Sequence, residues 1–194
     1  MTGTARSKRA DARRNEQTLL DAAAAVFVSS GVDAPVRAIA KKAGVGMGTI
    51  YRHFPTRADL IVAVYRHQVE ACVEAAPRLL REAATPYAAL TRWVDQFVDF
   101  LATKHGLAGV MQSSSADFEA LHKYFLERLV PVCAELLTAA VESGEVHQHV
   151  EAYSLMRGIG NLCVFADGDA RYDPGRMTRL LLAGLTQPDL ADPG

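Results

Sequence analysis

The sequence predicts an all-α protein of about nine helices, and the spacing of its apolar residues is the main reason. Apolar residues recur at helical intervals along nearly the whole chain, as Leu19, Ala23, Val26 and Phe27 do near the N-terminus. No segment shows the sustained period-two alternation that is typical of a half-buried strand. The 194 residues, 49% of them hydrophobic and 22% charged, suffice for one or two domains with a buried core.

Turn signals set the limits of the first helices. A first helix is expected to end at about Ser29, where the segment SSGVDAP begins. Pro35 suits the start of a second helix, because the N–H that proline lacks would have no partner there. Pro55 disfavours helix at the residue before it, and Thr56 with Asp59 matches a capping pattern that starts the next long helix.

Later breaks in the helical pattern fall at ATPYAAL, KHGL, SSSADFEAL, ESGEVHQHV and ADGDARYDPG. Pro131 lies inside an apolar-periodic stretch that runs from Phe118 to Leu137. A proline in a helix interior removes a backbone hydrogen bond and clashes with the preceding turn. We therefore expect a kink or a split at Pro131, and the pattern leaves both open.

The net charge of −1 hides an uneven distribution along the chain. Residues 1–57 carry +6 and residues 58–194 carry −7, when Lys and Arg are counted against Asp and Glu. A basic segment of this kind favours a polyanionic partner, although a solvated basic tail would give the same count. The segment MTGTARSKRADARRNEQ lacks the apolar core of a signal peptide, and no apolar run is long enough to span a bilayer, so a cytoplasmic protein is expected.

The cysteines and histidines do not predict a metal centre. Cys72, Cys133 and Cys163 are far apart and form no CxxC pattern, so we expect them to act as small apolar core residues. His147 and His149 are two residues apart but have no neighbouring cluster of carboxylates or thiolates. No metal and no cofactor is therefore predicted.

The stretch VRAIAKKAGVGMGTIYRHF concentrates glycine between two short helical segments. Gly44 supplies the left-handed backbone that ends a helix, and the segment GVG forms a tight turn. In the segment that follows, Ile50 and Phe54 are spaced to lie together on the buried side of a second short helix. Two helices joined in this way form a helix-turn-helix, whereas the alternative is a helical hairpin in an unrelated α protein.

Donor side chains surround this predicted helix-turn-helix, and they favour nucleic acid as the polyanion. Hydroxyl, phenol and guanidinium groups donate to phosphate oxygens, and arginine also reads guanine edges. The donors are Thr49, Tyr51, Arg52 and His53 on the second short helix, Arg37, Lys41 and Lys42 on the first, and Arg57 at the start of the next.

With these residues in place, the segment VRAIAKKAGVGMGTIYRHFPTRADLIVAVY resembles the DNA-binding signature of TetR-family transcriptional regulators. The family pattern has an IA helix, then AGVS-x-GT-L/I-Y-x-HF, then P-S/T-K/R-x-x-L. The matching residues are Ile39-Ala40, Ala43-Gly44-Val45, Gly48-Thr49-Ile50-Tyr51, His53-Phe54 and Pro55-Thr56-Arg57. Two positions depart from it: Gly46 stands where Ser or Thr is common, and Pro35 stands where Thr is common.

The resemblance implies a role for each exposed residue of the motif. Thr49, Tyr51, His53 and Arg57 would contact the phosphate backbone, and the variable positions Met47 and Arg52 would touch bases. Arg13 and Arg14 would steady the first helix against phosphate or reach a minor groove. The complete set of expected DNA-binding residues is Arg13, Arg14, Arg37, Lys41, Gly46, Met47, Gly48, Thr49, Tyr51, Arg52, His53 and Arg57.

The resemblance also implies two domains: a three-helix DNA-binding domain over residues 1–57, and a helical effector-binding and dimerisation domain over residues 58–194. The expected effector residues are Trp93, Phe97, Phe100, Met111, Gln112, Phe118, His122, Phe125 and Asn161, although aromatic residues at this spacing are also typical of plain core. The expected dimer residues are Leu155, Ile159, Leu162, Met177, Leu180, Leu181 and Gly184, for which packing within one chain is the alternative.

The sequence thus predicts a homodimeric regulator that binds a palindromic DNA operator and is released by a small-molecule effector. It names neither operator nor effector, and it leaves repression and activation open. An architectural DNA-binding protein that needs no effector is the alternative. An enzyme is not predicted, because no Ser/His/Asp set, carboxylate pair or phosphate-binding loop is present.

Overall fold

The computed structural model describes residues 3–110, 115–163 and 171–188, and their side chains at 14–101, 119–163 and 171–188. The described residues form eight α-helices and no strand: α1 (Gly3–Ser30), α2 (Val36–Ala43), α3 (Met47–His53), α4 (Arg57–Glu82), α5 (Pro86–Val110), α6 (Ser115–Glu142), α7 (Ala152–Cys163) and α8 (Pro174–Leu185). The all-α prediction is confirmed. None of these described helices combines the length and apolar character that a membrane span requires.

The chain divides into two compact units. The first comprises residues 1–68 and 102–114, and the second comprises residues 69–101 and 115–194. In the first unit, α1 packs against α2 and α2 against α3. The predicted inward face of α1, formed by Leu19, Ala23, Val26 and Phe27, is buried, together with Ile39 and Ala40 of α2.

The core of the second unit is built around Trp93, whose indole Nε1 donates a hydrogen bond of 2.9 Å to the carbonyl oxygen of Cys72. This bond satisfies the polar atom of a fully buried side chain, which would otherwise lose its hydration without compensation. The three cysteines are buried, as predicted. Burial raises the pKa of Cys72 and of Cys133 to about 12, so both thiols stay protonated at neutral pH.

Two prolines lie inside long helices. The helix α6 runs from Ser115 to Glu142 through Pro131, and α4 runs from Arg57 to Glu82 through Pro77. Pro131 therefore does not split its helix. Both proline side chains are exposed, although each proline removes one intrahelical hydrogen bond.

The segment between α6 and α7 holds the ends of two other helices. The backbone N–H of Tyr87, in the first turn of α5, donates to Glu145 Oε2 at 3.1 Å. The backbone N–H of His147 donates a hydrogen bond of 2.9 Å to the carbonyl oxygen of Leu185, the last residue of α8. One short loop thus satisfies backbone groups that a helix leaves open at its N-terminus and at its C-terminus.

The hydrogen bonds at Glu145 stabilise its charged form. Side-chain bonding from Thr85, then the N–H of Tyr87 and the hydroxyl of Ser143, hold the pKa of Glu145 below its usual 4.5, against a smaller opposing effect of desolvation. A carboxyl group whose pKa is lowered by folding stabilises the folded state above its unfolded pKa. That contribution is lost as the pH falls through the lowered value.

We expect Glu145→Gln to lower the melting temperature at pH 7 and to have a vanishing effect below the folded pKa of the carboxyl group. Melting curves of both proteins between pH 3 and pH 7 check this. Glu142→Gln is the matched control, because Glu142 is exposed at the end of α6, three residues before Glu145, and its replacement removes the same charge. A constant difference between Glu145→Gln and wild type over that range would contradict the linkage.

Candidate nucleic-acid interface

The turn between α2 and α3 is set by Gly44, whose φ of 67° and ψ of 28° lie in the left-handed region. The N–H of the next residue, Val45, donates 3.1 Å to the carbonyl oxygen of Ala40, which closes the end of α2. A β-carbon is disfavoured in this conformation, so glycine is required by the backbone itself. The helix end predicted at Gly44 is confirmed.

The helix α3 buries one side and exposes the other. Ile50 and Phe54 are buried at 1% and 6% exposure, as their spacing predicts. Gly46 precedes the helix in extended conformation and makes no side-chain cap, and its carbonyl oxygen accepts the N–H of Thr49 at 2.9 Å. Because Gly46 provides no cap side chain, the start of α3 is held by this backbone hydrogen bond and by the burial of Ile50.

The remaining side chains of α3 and the cations of α2 face solvent. Met47 and Tyr51 are 45% and 46% exposed, so both present large side chains to solvent. Thr49 is half-buried, and the other exposed predicted residues are Arg37, Lys41, Gly46, Gly48, Arg52 and His53. Within the part of the chain that the structure describes, no carboxylate forms an ion pair with Arg37, Lys41 or Arg52. Their charge is therefore available to an anionic partner.

Arg57, the first residue of α4, has a contact that the sequence did not reveal. Its Nη2 donates to the carbonyl oxygens of Val32 and Ala34, the second at 2.8 Å. Both carbonyls lie in the connection between α1 and α2, so this half-buried guanidinium ties the start of α4 to that connection. Nothing in the local sequence signals the contact, because the partners are 25 and 23 residues away.

The start of α4 is closed by the predicted capping pair. The N–H of Thr56 donates 3.0 Å to Asp59 Oδ2, and the N–H of Asp59 donates 3.1 Å to Thr56 Oγ1. This reciprocal arrangement satisfies two backbone donors at the helix N-terminus. Two arginines of α1 are also predicted to contact DNA. Arg14 is exposed, and the side chain of Arg13 lies outside the described residues.

Several residues predicted to bind an effector lie together in the second unit. The ring of Phe125 stacks on Phe97 at 6.0 Å, on Phe100 at 5.6 Å and on His122 at 5.7 Å between centroids. Trp93 stacks on Phe97 at 5.6 Å. Asn161, in contrast, is exposed on α7, and Met111, Gln112 and the side chain of Phe118 lie outside the described residues.

Some of the residues predicted for the dimer interface are buried within one chain, and others are exposed on α8. Leu155 and Ile159 of α7 are buried within their own unit, and Leu162 is half-buried. On α8, Met177, Leu180 and Leu181 are 38%, 57% and 37% exposed, and Gly184 is exposed beside them, whereas Thr178, Leu182 and Leu185 are buried. Met177, Leu180, Leu181 and Gly184 therefore form an exposed apolar stripe on α8, beside the exposed Arg176 and Arg179.

The second unit also carries a feature that sequence analysis did not single out. An open groove of about 520 Å³ is lined by residues of the C-terminal half of α6 and of the segment that leads into α7, among them Leu137, Val141, His149 and Tyr153. None of the predicted effector residues lines it. Among the described residues, no group of three or more His, Cys, Asp or Glu side chains is placed to hold a metal ion.

Comparison with known families gives two matches that together cover most of the chain. Residues 19–64 match the bacterial regulatory proteins of the tetR family. Residues 85–187 match the C-terminal domain of SbtR-like transcriptional regulators. The first match contains α2, α3 and the turn at Gly44.

Individual proteins support the same assignment. The TetR transcriptional regulator SCO0520 from Streptomyces coelicolor is 32% identical, with a TM-score of 0.72 and coverage of 87% of this chain and 97% of that one. The fatty acid metabolism regulator protein of Bacillus subtilis is 27% identical over 138 residues, which are 69% of this chain and 71% of the relative. FadR from Bacillus subtilis in complex with stearoyl-CoA shares the fold at 24% identity, with a TM-score of 0.55 and coverage of 88% and 97%.

Replacement by alanine should change the free energy of unfolding differently at Gly44 and at Gly48. Gly44→Ala forces a β-carbon into the left-handed region and should lower the free energy of unfolding by about 1–2 kcal/mol. Gly48→Ala is the matched comparison, because Gly48 has ordinary helical backbone and no heavy atom lies within 4 Å of its added β-carbon. It should leave the free energy of unfolding unchanged or raise it by up to about 1 kcal/mol. Urea unfolding followed by circular dichroism checks both, and an equal loss in the two variants would contradict this account.

Proposed function

The chain belongs to the TetR family of transcriptional regulators, and we propose that it represses transcription from a palindromic operator until a small-molecule effector binds. The observation that carries this proposal is the solvent-facing surface of α2 and α3, where Arg37, Lys41 and Arg52 are exposed. Cations that are not neutralised within the protein release counterions from DNA when they meet its phosphates. Steep salt dependence of operator binding follows.

In this proposal, residues 1–57 form the DNA-binding domain and α3 enters the major groove. Tyr51, His53 and the half-buried Thr49 donate to phosphates on the walls of the groove, and Arg37 and Lys41 add charge from α2. Arg52 reaches base edges, where a guanidinium pairs with O6 and N7 of guanine. Arg13 and Arg14 contact the adjacent backbone from α1.

Arg57 has a dual role in the proposal. The guanidinium that holds the carbonyls of Val32 and Ala34 fixes the connection between α1 and α2. An arginine has five N–H donors, and these two bonds use Nη2 alone, so Nε and Nη1 remain for a phosphate. The residue would then align the motif and contact DNA through different atoms.

We propose that residues 58–194 pair two copies of the chain and bind the effector. The outward apolar face of α8, with Met177, Leu180 and Leu181, supports a two-fold seam, because burial of such a face against a second copy removes apolar surface from water. Gly184 on that face would permit close approach of a helix of the second copy. Gly158 permits close approach of α7 and α8 within one chain, where Leu181 Cδ2 lies 3.8 Å from the position of a β-carbon at Gly158.

The proposed effector site adjoins the stacked side chains of Phe97, Phe100, His122 and Phe125. Stacked rings form an apolar wall, and His122 contributes a polar nitrogen beside it. The effector acts by binding more tightly to the conformation in which the two recognition helices no longer match successive major grooves. Asn161 is exposed on α7 and is not part of the proposed site.

DNA upstream of the protein's own coding region is the direct test. A footprint there, lost on addition of an effector, is the expected result. Stearoyl-CoA is the first candidate to add, because FadR from Bacillus subtilis is known in complex with it. A footprint that no candidate effector changes, together with weak sequence preference, would favour the alternative of an architectural DNA-binding protein. Catalysis is no part of the proposal.

We expect Arg52→Ala to weaken operator binding by about 1–3 kcal/mol, because the arginine supplies a base contact. Fluorescence anisotropy titration at one fixed salt concentration measures it. Arg92→Ala is the control, since Arg92 is an exposed arginine of α5 in the second unit. Equal affinities of Arg52→Ala and Arg92→Ala would remove Arg52 from the interface.

We expect Leu180→Glu to convert the dimer to a monomer and to weaken operator binding, because it inserts a charge into the proposed apolar seam. Sedimentation velocity gives the oligomeric state. Val28→Glu, which makes the same change at an exposed apolar residue of α1, should stay dimeric. A dimeric Leu180→Glu variant would exclude this face as the seam.

A further inference from the structure

The first turn of α3 presents few side chains. Gly46, Met47, Gly48 and Thr49 follow one another there, and both glycines have open space within 4 Å of a β-carbon position. Thr49 is half-buried, whereas Met47 is 45% exposed. Met47 is therefore the side chain with the greatest reach from this turn.

The chemistry of Met47 restricts what it can recognise. A thioether has no N–H or O–H, so it cannot make the paired hydrogen bonds that distinguish guanine or adenine in the major groove. The apolar group on the floor of that groove is the C5 methyl of thymine. An unbranched, polarisable side chain with three rotatable bonds adapts its shape to such a methyl group.

The position of Met47 in α3 matches this chemistry. In a helix-turn-helix, the N-terminal residues of the second helix contact base edges. Because Gly46 and Gly48 have no side chains, the backbone on either side of Met47 can approach the groove floor closely. Tyr51 lies one turn further on, at 46% exposure, and extends the apolar surface away from Met47 on the same side of the helix.

We propose that Met47 reads a thymine through its C5 methyl, so that each operator half-site has a T·A pair beneath the first turn of α3. This inference rests on the proposed operator-binding function and adds the base and the atom that are recognised. Sequence preference then divides along α3: apolar contact at Met47, and hydrogen bonding from Arg52 further along the helix.

Removal of single methyl groups from the DNA tests the proposal. In the operator found by footprinting, each thymine is replaced in turn by deoxyuridine, which lacks the methyl group and keeps the pairing. Anisotropy titrations at fixed salt compare wild type, Met47→Ala, Met47→Leu and Arg52→Ala. Thermal unfolding of each variant shows that it is folded.

For wild type, replacement of one particular thymine in each half-site should lower the affinity for the operator about fourfold, which is the effect of burying one methyl group. Met47→Ala should bind the operator with thymine and the operator with deoxyuridine at that position with affinities that differ less than twofold, since this variant has already lost the methionine contact. Met47→Leu should keep the sensitivity because it keeps an apolar side chain. Arg52→Ala should bind more weakly overall and retain the fourfold effect.

The same titrations separate failure of this inference from failure of the proposed function. Tight, specific operator binding with equal deoxyuridine sensitivity in wild type and Met47→Ala at every thymine overturns the inference and leaves the function in place. If no thymine is sensitive in wild type, the inference is overturned in the same way. Absence of any sequence-specific binding overturns both.

Discussion

The left-handed backbone at Gly44 positions α3 and so influences which of its residues face solvent. It ends α2 and turns the chain so that Ile50 and Phe54 pack inward. Once those two are buried, helical geometry leaves Gly48 and Arg52 on the opposite side of α3. A residue with a β-carbon at position 44 would cost about 1–2 kcal/mol and would strain the relation between the two short helices. A seven-residue helix gains little stability from its own hydrogen bonds, so α3 depends on this packing.

Contacts between distant segments hold that local motif in place and tie helix ends together in the second unit. Arg57 joins the start of α4 to the connection between α1 and α2, and the Thr56–Asp59 pair closes the same helix end. In the second unit, Glu145 plays a comparable part at the start of α5. In both units a charged side chain satisfies backbone groups at a helix end or in a connection, where hydrogen bonds to a charged partner are stronger than neutral ones.

Local turn chemistry explains why two helix ends of the first unit could be predicted from the sequence. The end of α2 at Gly44 and the cap at Thr56 each depend on residues within a few positions. The carbonyl partners of Arg57 lie 25 and 23 residues away, and the N–H of Tyr87 lies 58 residues from Glu145, and no local pattern encodes such distances. On α8 the helical spacing groups Met177, Leu180 and Leu181 on one face, and the structure exposes these three residues and buries Leu182. The continuity of α6 through Pro131 likewise depends on an exposed proline face that the sequence does not specify.

The charge distribution gives the motif a further property. Residues 1–57 carry +6 and the remainder of the chain carries −7, so DNA is attracted to the residues that bear α2 and α3 and repelled by the rest. If α3 enters the major groove as proposed, the same N-terminal segment supplies the non-specific attraction and the surface that would read sequence. On that surface the first turn of α3 offers an apolar side chain and no long donor, and Arg52 comes almost two turns after Gly46. In the proposed complex, electrostatic attraction therefore brings α3 to any duplex, whereas Met47 gains only where the groove floor is itself apolar. Arg52 would contribute to both, through its charge and through its contact with a base.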